Sequence, residues 1–206
     1  MALQMRNQVI VIHGGDTFET YEEYLTFLKS LDVDSDYFKK QGWKSTLQNE
    51  LGNDFEVIAP HMPNKQSAKF VEWKIWFEKL IPHIQDNAIF VGHSLGGIFL
   101  AKYLSENTFP KKIKATLLVA APFDAGDSEY TLADFILPDN LSLFEKQGGV
   151  ISLYQSKDDP AVPFVDLDKY KKALSSAKTI IFEDKGHFTG NEFPEIISDI
   201  KDLIKK

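Results

Sequence analysis

Cysteine is missing from all 206 residues. That excludes a disulfide framework and any cysteine-based zinc site. The five histidines, at positions 13, 61, 83, 93 and 187, lack the spacing of metal ligands, so no metal and no cofactor are expected. No apolar run approaches the roughly 20 residues needed to cross a bilayer. The opening Met1 to Gln8 lacks the charged-then-apolar layout of a secretion signal, and a cytoplasmic protein is the expectation. Basic residues are in deficit, 23 against 30 acidic, for a net charge of −7. This balance argues against nucleic acid and anionic membranes as partners. Repeats, linkers and low-complexity segments are also missing. With 43% hydrophobic residues, the chain reads as one domain over residues 1–206 with a single sizeable core.

What is present centres on the stretch Ala88 to Leu100. A short apolar run reads as a buried strand, breaks at Gly92, and turns helical from Leu95 through Leu104. At the break stands Gly92-His93-Ser94-Leu95-Gly96, a Gly-x-Ser-x-Gly pentapeptide. Between a strand and a helix this pattern reads as a nucleophile elbow, with Ser94 exposed on a tight turn and glycines where side chains have no room. The start of the following helix places free N–H groups and positive potential beside the hydroxyl.

Strands and helices alternate along the rest of the chain. Strands are expected over 8–12, 54–59, 88–91, 114–121, 150–155 and 178–183. Helices are expected over 20–31, 37–51, 67–84, 95–104, 165–175 and 193–205. In the 67–84 helix, Phe70, Trp73, Trp76, Phe77 and Leu80 are read as core contacts. Alternation implies an α/β fold: a three-layer α/β/α sandwich around a doubly wound parallel sheet of six strands, in the order 2-1-3-4-5-6. The switch point then lies between strands one and three, where ligands bind at the carboxyl ends. Residues 122–149 form the least regular part and a possible small cap. Phe123, Phe135, Leu137 and Phe144 within it are candidates for an acyl pocket. The acidic Asp124, Asp127, Glu129, Asp134 and Asp139 nearby would disfavour anionic substrates.

A serine hydroxyl needs a general base, and the base needs a partner to hold its tautomer. With the chain order Ser, acid, His, His187 is the single histidine downstream of Ser94. The acid is sought in Ser156 to Pro163, which offers Asp158 and Asp159; Asp159 begins an Asp-x-x-Val-Pro pattern that resembles the acid loop of known hydrolases and is preferred on that likeness, and Asp124 stands third. The disfavoured aspartate is expected to cap its loop through backbone N–H groups. Oxyanion donors are expected from the N–H of Leu95 and from Gly15 or Asp16 in the loop after the first strand. His13 and His93 flank the site and read as structural.

Four pieces, Val11-Ile12-His13-Gly14, Gly92 to Gly97, Ser156 to Pro163 and Gly186-His187-Phe188, make the chain resemble the α/β-hydrolases. In particular it is similar to the small serine hydrolases of the YdeN and retinoblastoma-binding-protein-nine type. The resemblance runs from near residue 8 to the end. It implies a compact fold without extra N-terminal strands, with Ser94 as nucleophile, Asp159 as acid and His187 as base. The stretch 16–52 is longer than in the smallest members, which suggests an added helix over the site. The implied activity is hydrolysis of esters or thioesters of a small-molecule acyl substrate through an acyl-enzyme on Ser94. A peptidase or amidase with the same residues is the alternative, as is a non-catalytic binding protein on this scaffold.

Overall fold

A computed structural model describes residues 6–35, 39, 42–126 and 131–205. Six parallel strands form one sheet: β1 (Asn7–Ile12), β2 (Phe55–Ile58), β3 (Ala88–His93), β4 (Ile113–Val119), β5 (Val150–Ser156) and β6 (Lys178–Phe182). Their spatial order is β2-β1-β3-β4-β5-β6, as the alternation implies. Such strands run almost unbroken in apolar residues because helices cover both faces of the sheet. Val9 through Ile12 are at most 1% exposed.

The strand period of two divides that run between two cores. Ile10, Ile12, Phe90 and Leu118 face one side, against α3 (Phe70–Leu80), α4 (Leu95–Glu106), α5 (Ser142–Gln147) and α6 (Val165–Ala173). Val9, Val11, Val91 and Leu117 face the other, against α2 (Leu47–Leu51) and α7 (Pro194–Ile204). A remaining helix, α1 (Tyr21–Ser30), buries none of its residues and belongs to neither core.

Several boundaries differ from the sequence reading. The helix expected over 37–51 becomes a 3-10 turn, Trp43–Ser45, followed by α2; its expected start at Tyr37 lies outside the described residues. The Trp43 N–H donates to the Gly190 carbonyl, and this long-range bond takes the main chain out of helical geometry. The 67–84 helix is α3 plus a 3-10 turn at Ile81–His83, where Pro82 cannot supply the next N–H. Trp76 is not a core residue: it is 50% exposed, beside Val71 and Ile75 on the outer face of α3. Residues 122–149, expected to be irregular, contain α5.

Candidate active site

The end of β3 and the start of α4 build the centre of the site. Ser94 stands between them at φ 54°, ψ −124°, a backbone conformation that L-residues occupy at a cost of about 1–3 kcal/mol. Its N–H is pinned to the Val119 carbonyl at 2.8 Å. The glycines around it are required by close approach. A side chain at Gly92 would strike the Gly96 carbonyl at 2.5 Å, and one at Gly96 would run into the main chain of Ile12 and His13. The β1 exit loop therefore packs directly on the elbow, with Gly14 against Ser94.

His187 sits in the turn after β6. Its Nδ1–H donates to Asp159, 2.9 Å from Oδ2 and 3.1 Å from Oδ1. The Asp159 side chain is fully buried, while the imidazole keeps 17% of its surface exposed. The N–H groups of Ala161 and Val162 also donate to Asp159 Oδ1, at 2.8 and 3.0 Å. Gln155 Nε2 reaches Oδ2 at 3.3 Å. So engaged, the Asp159 side chain is fixed in place and holds the ring of His187 by its Nδ1 side,. Among the described residues no hydrogen bond joins Ser94 Oγ to the imidazole; contacts of this kind commonly tighten only with substrate bound.

The two neighbouring aspartates separate cleanly. Asp158 lies outside the ring contact and instead holds the backbone of the same turn. Its Oδ1 accepts from Gly186 N–H at 2.8 Å and from Ser156 Oγ at 2.5 Å. These bonds hold its carboxyl below the usual range. Ser156 in turn accepts from Lys185 N–H at 2.9 Å. Asp124 is engaged elsewhere, 2.6 Å from Lys169.

The expected oxyanion donors divide as well. Leu95 opens α4, where the first N–H groups have no intrahelical acceptor,. Asp16 cannot serve: its N–H is taken by the Lys65 carbonyl at 2.8 Å, and its own carbonyl accepts from Ala68. That leaves Gly15 as the candidate on the β1 loop. A Cβ there would meet Lys65 O at 2.5 Å, so the loop approaches its neighbour only as glycine. Asp16 does line the cavity, and burial raises its carboxyl above the usual range.

A cavity of about 1310 Å³ opens above these residues, lined by Ser94, Leu95, Asp159 and His187. Its apolar wall corrects the sequence reading. None of Phe123, Phe135, Leu137 and Phe144 lines it. Phe135 is fully buried between Phe70 and Trp73, at 5.7 and 5.3 Å between ring centroids. The reason is local: Asp134 accepts from the first N–H groups of α3, Phe70 and Val71, and this cap carries Phe135 into the core. Phe144 is buried on α5, Phe123 packs on Tyr170, and Leu137 leans on the same core. The cavity wall comes instead from Phe18 and Phe27 with α1, from Leu132, and from the Pro160–Pro163 segment. Among the described residues of the expected cap region, only Pro122, Thr131 and Leu132 take part. Besides Asp159, four carboxylates line the wall, Asp16, Glu19, Glu22 and Glu23, and not Asp124, Asp134 or Asp139 among the acidic residues expected nearby. Of those, Asp127 and Glu129 lie outside the described residues. The one sequence signal for this wall is the extra length of 16–52.

Both flanking histidines are satisfied and neutral. His13 donates from Nδ1 to the Gly14 carbonyl at 2.6 Å and accepts the Met62 N–H on Nε2 at 2.9 Å; burial lowers its pKa. His93, 5% exposed, accepts from Lys44 Nζ on Nδ1 at 3.1 Å and donates from Nε2 to the His187 carbonyl at 2.8 Å. Burial, then the Lys44 charge, hold it well below the ordinary imidazole value. Burial and nearby Lys65 bring Lys44 itself down to about 8.

The family model described as serine hydrolase matches residues 37–195. The serine hydrolase RBBP9 of Rattus norvegicus is 28% identical over 167 residues, covering 79% of this chain and 87% of that one. Among solved structures, the ydeN gene product of B. subtilis superposes with a TM-score of 0.78 at 18% identity, covering 97% of this chain and 100% of that one. The esterase domain of a Rhodothermus marinus protein follows the same fold, with a TM-score of 0.61 at 16% identity over 98% and 86% of the two chains.

Proposed function

The chain belongs to the serine hydrolase family, and from that premise we propose that Ser94, Asp159 and His187 act as one catalytic relay. The reaction is hydrolysis of a neutral carboxylic ester or thioester. One observation supports the roles above others: His187 Nδ1–H is bound to the buried Asp159 carboxylate on the wall of the cavity into which the elbow presents Ser94.

In the first half-reaction Ser94 Oγ attacks the acyl carbon as His187 Nε2 takes the hydroxyl proton. Asp159 stabilises the imidazolium without itself taking the proton. The carbonyl oxygen gains the displaced electron pair and is met by the N–H groups of Leu95 and Gly15; one such donor contributes about 3–4 kcal/mol in comparable enzymes. Collapse breaks the bond to the leaving alkoxide or thiolate, which receives the proton from His187. In the second half-reaction water repeats the attack on the acyl-Ser94 ester, and His187 returns the proton to Ser94.

Phe18, Phe27 and Leu132 supply apolar surface for an acyl chain. The four wall carboxylates repel anionic substrates, so a neutral acyl group is favoured. Intact-mass spectrometry of protein quenched during turnover of p-nitrophenyl butyrate tests the scheme. An acyl adduct that maps to Ser94 is expected. Undiminished turnover by Ser94→Ala contradicts it.

A further inference from the structure

His93 occupies the variable position of the elbow, next to the nucleophile, yet its side chain turns to the far side and is almost wholly enclosed. Both ring nitrogens have fixed, opposite roles. Lys44 Nζ carries only donors, so Nδ1 is the acceptor; the His187 carbonyl is only an acceptor, so Nε2 carries the hydrogen,. The ring therefore ties the segment just before Ser94 to the main chain of the residue that presents the base. The two imidazoles lie 5.0 Å apart between centroids.

The rest of the turn is held with the same care. Asp158 and Ser156 grip Gly186 and Lys185, and Trp43 Nε1–H donates to the Phe188 carbonyl at 3.0 Å. The Nε2 bond of His93 holds the main-chain carbonyl of residue 187 itself, and it starts from the strand that ends at the nucleophile. It spans the two elements whose relative placement sets the distance between Ser94 and the imidazole.

We propose that His93, oriented by Lys44, is a positioning residue for catalysis: it fixes the main chain of His187 relative to the elbow and thereby the reach of the base toward Ser94. The proposal rests on His187 being that base. A displacement near 1 Å at such a site costs up to about 100-fold in rate, and the loss appears in kcat because the acyl-binding wall is untouched.

Substitutions at 93 separate the two bonds. Glutamine carries an amide N–H to where Nε2 stands and can still meet the His187 carbonyl. Asparagine keeps an acceptor for Lys44 but stops short of that carbonyl. Steady-state kinetics on a p-nitrophenyl ester should show His93→Asn losing about 10- to 100-fold in kcat with KM within about twofold. His93→Gln should recover most of the loss, with thermal melts showing both variants folded. Lys44→Met, which leaves the ring in place without its orienting donor, should fall between them. Equal losses in Gln and Asn, or no loss in either, overturn the proposal. His187→Ala is run alongside. Activity surviving there overturns the base assignment and the proposal with it, whereas an inactive His187→Ala beside a fully active His93→Asn overturns the proposal alone.

Discussion

Asp158 and Asp159 stand side by side and hold one turn by different handles, Asp159 by the imidazole and Asp158 by the Gly186 N–H. Their effects on activity should differ accordingly. On the proposed relay, Asp159→Asn takes away the carboxylate paired with the imidazole and should cost orders of magnitude in kcat, about 10⁴-fold where the same change has been made in another triad. Asp158→Asn keeps an acceptor for Gly186 and should retain most activity, which initial rates on one ester would establish. Ser156 is fully buried, and Ser156→Ala strands the Lys185 N–H. A destabilisation of about 1–3 kcal/mol in urea melts is expected. Lys44 gives a pH signature. Burial brings its amine from 10.5 to about 8, so its charge opposes folding below pH 8, and this opposition fades as pH rises from about 8 to 10.5. Compared with Lys44→Met, the wild type should gain relative stability between pH 7 and 10; a difference that stays flat across that range contradicts the assignment.

At the scale of elements, α1 is the helix with least reason to stay in place. It buries none of its residues, and its start is fixed by a capping box between Thr20 and Glu23. Phe18 packs on Phe27 at 5.1 Å, and Lys69 Nζ holds the Phe18 carbonyl. Thr17 Oγ1 donates to the Thr131 carbonyl at 2.5 Å, and Thr131 Oγ1 to Glu19. Loss of the cap in Thr20→Ala should weaken α1 locally by about 1 kcal/mol. Faster amide exchange confined to 20–30 and a raised KM with kcat unchanged are expected. The sheet order and the elbow were legible in the sequence because strand periodicity, glycine spacing and chain order are local signals. The origin of the cavity wall was not. Phe135 looks like a loose loop aromatic until Asp134 is seen capping α3, and Phe27 looks like one face of an ordinary helix until α1 is found without a core to pack on. Asp16 was indistinguishable from Gly15 as a donor because the bond to Lys65 joins residues 49 apart.

For the whole molecule, the two sheet faces and the cavity are separate in function and should respond separately to mutation. Phe135→Ala empties a fully buried site and should cost about 3–5 kcal/mol of stability with little change in KM for the folded enzyme. Phe27→Ala, on the cavity wall, should do the reverse, raising KM for longer acyl chains while leaving the melting temperature nearly unchanged. A series of p-nitrophenyl esters from acetate to decanoate reads out both variants, and identical chain-length profiles for wild type and Phe27→Ala contradict the assignment of the wall. The central claim is that residues from three distant parts of the chain work as one relay. The most direct measurement is the rate of covalent labelling by a fluorophosphonate, followed by intact mass, in wild type, Ser94→Ala and His187→Ala. One adduct on Ser94 is expected in the wild type, none in Ser94→Ala, and labelling slowed by orders of magnitude in His187→Ala; labelling of His187→Ala at the wild-type rate would contradict the claim.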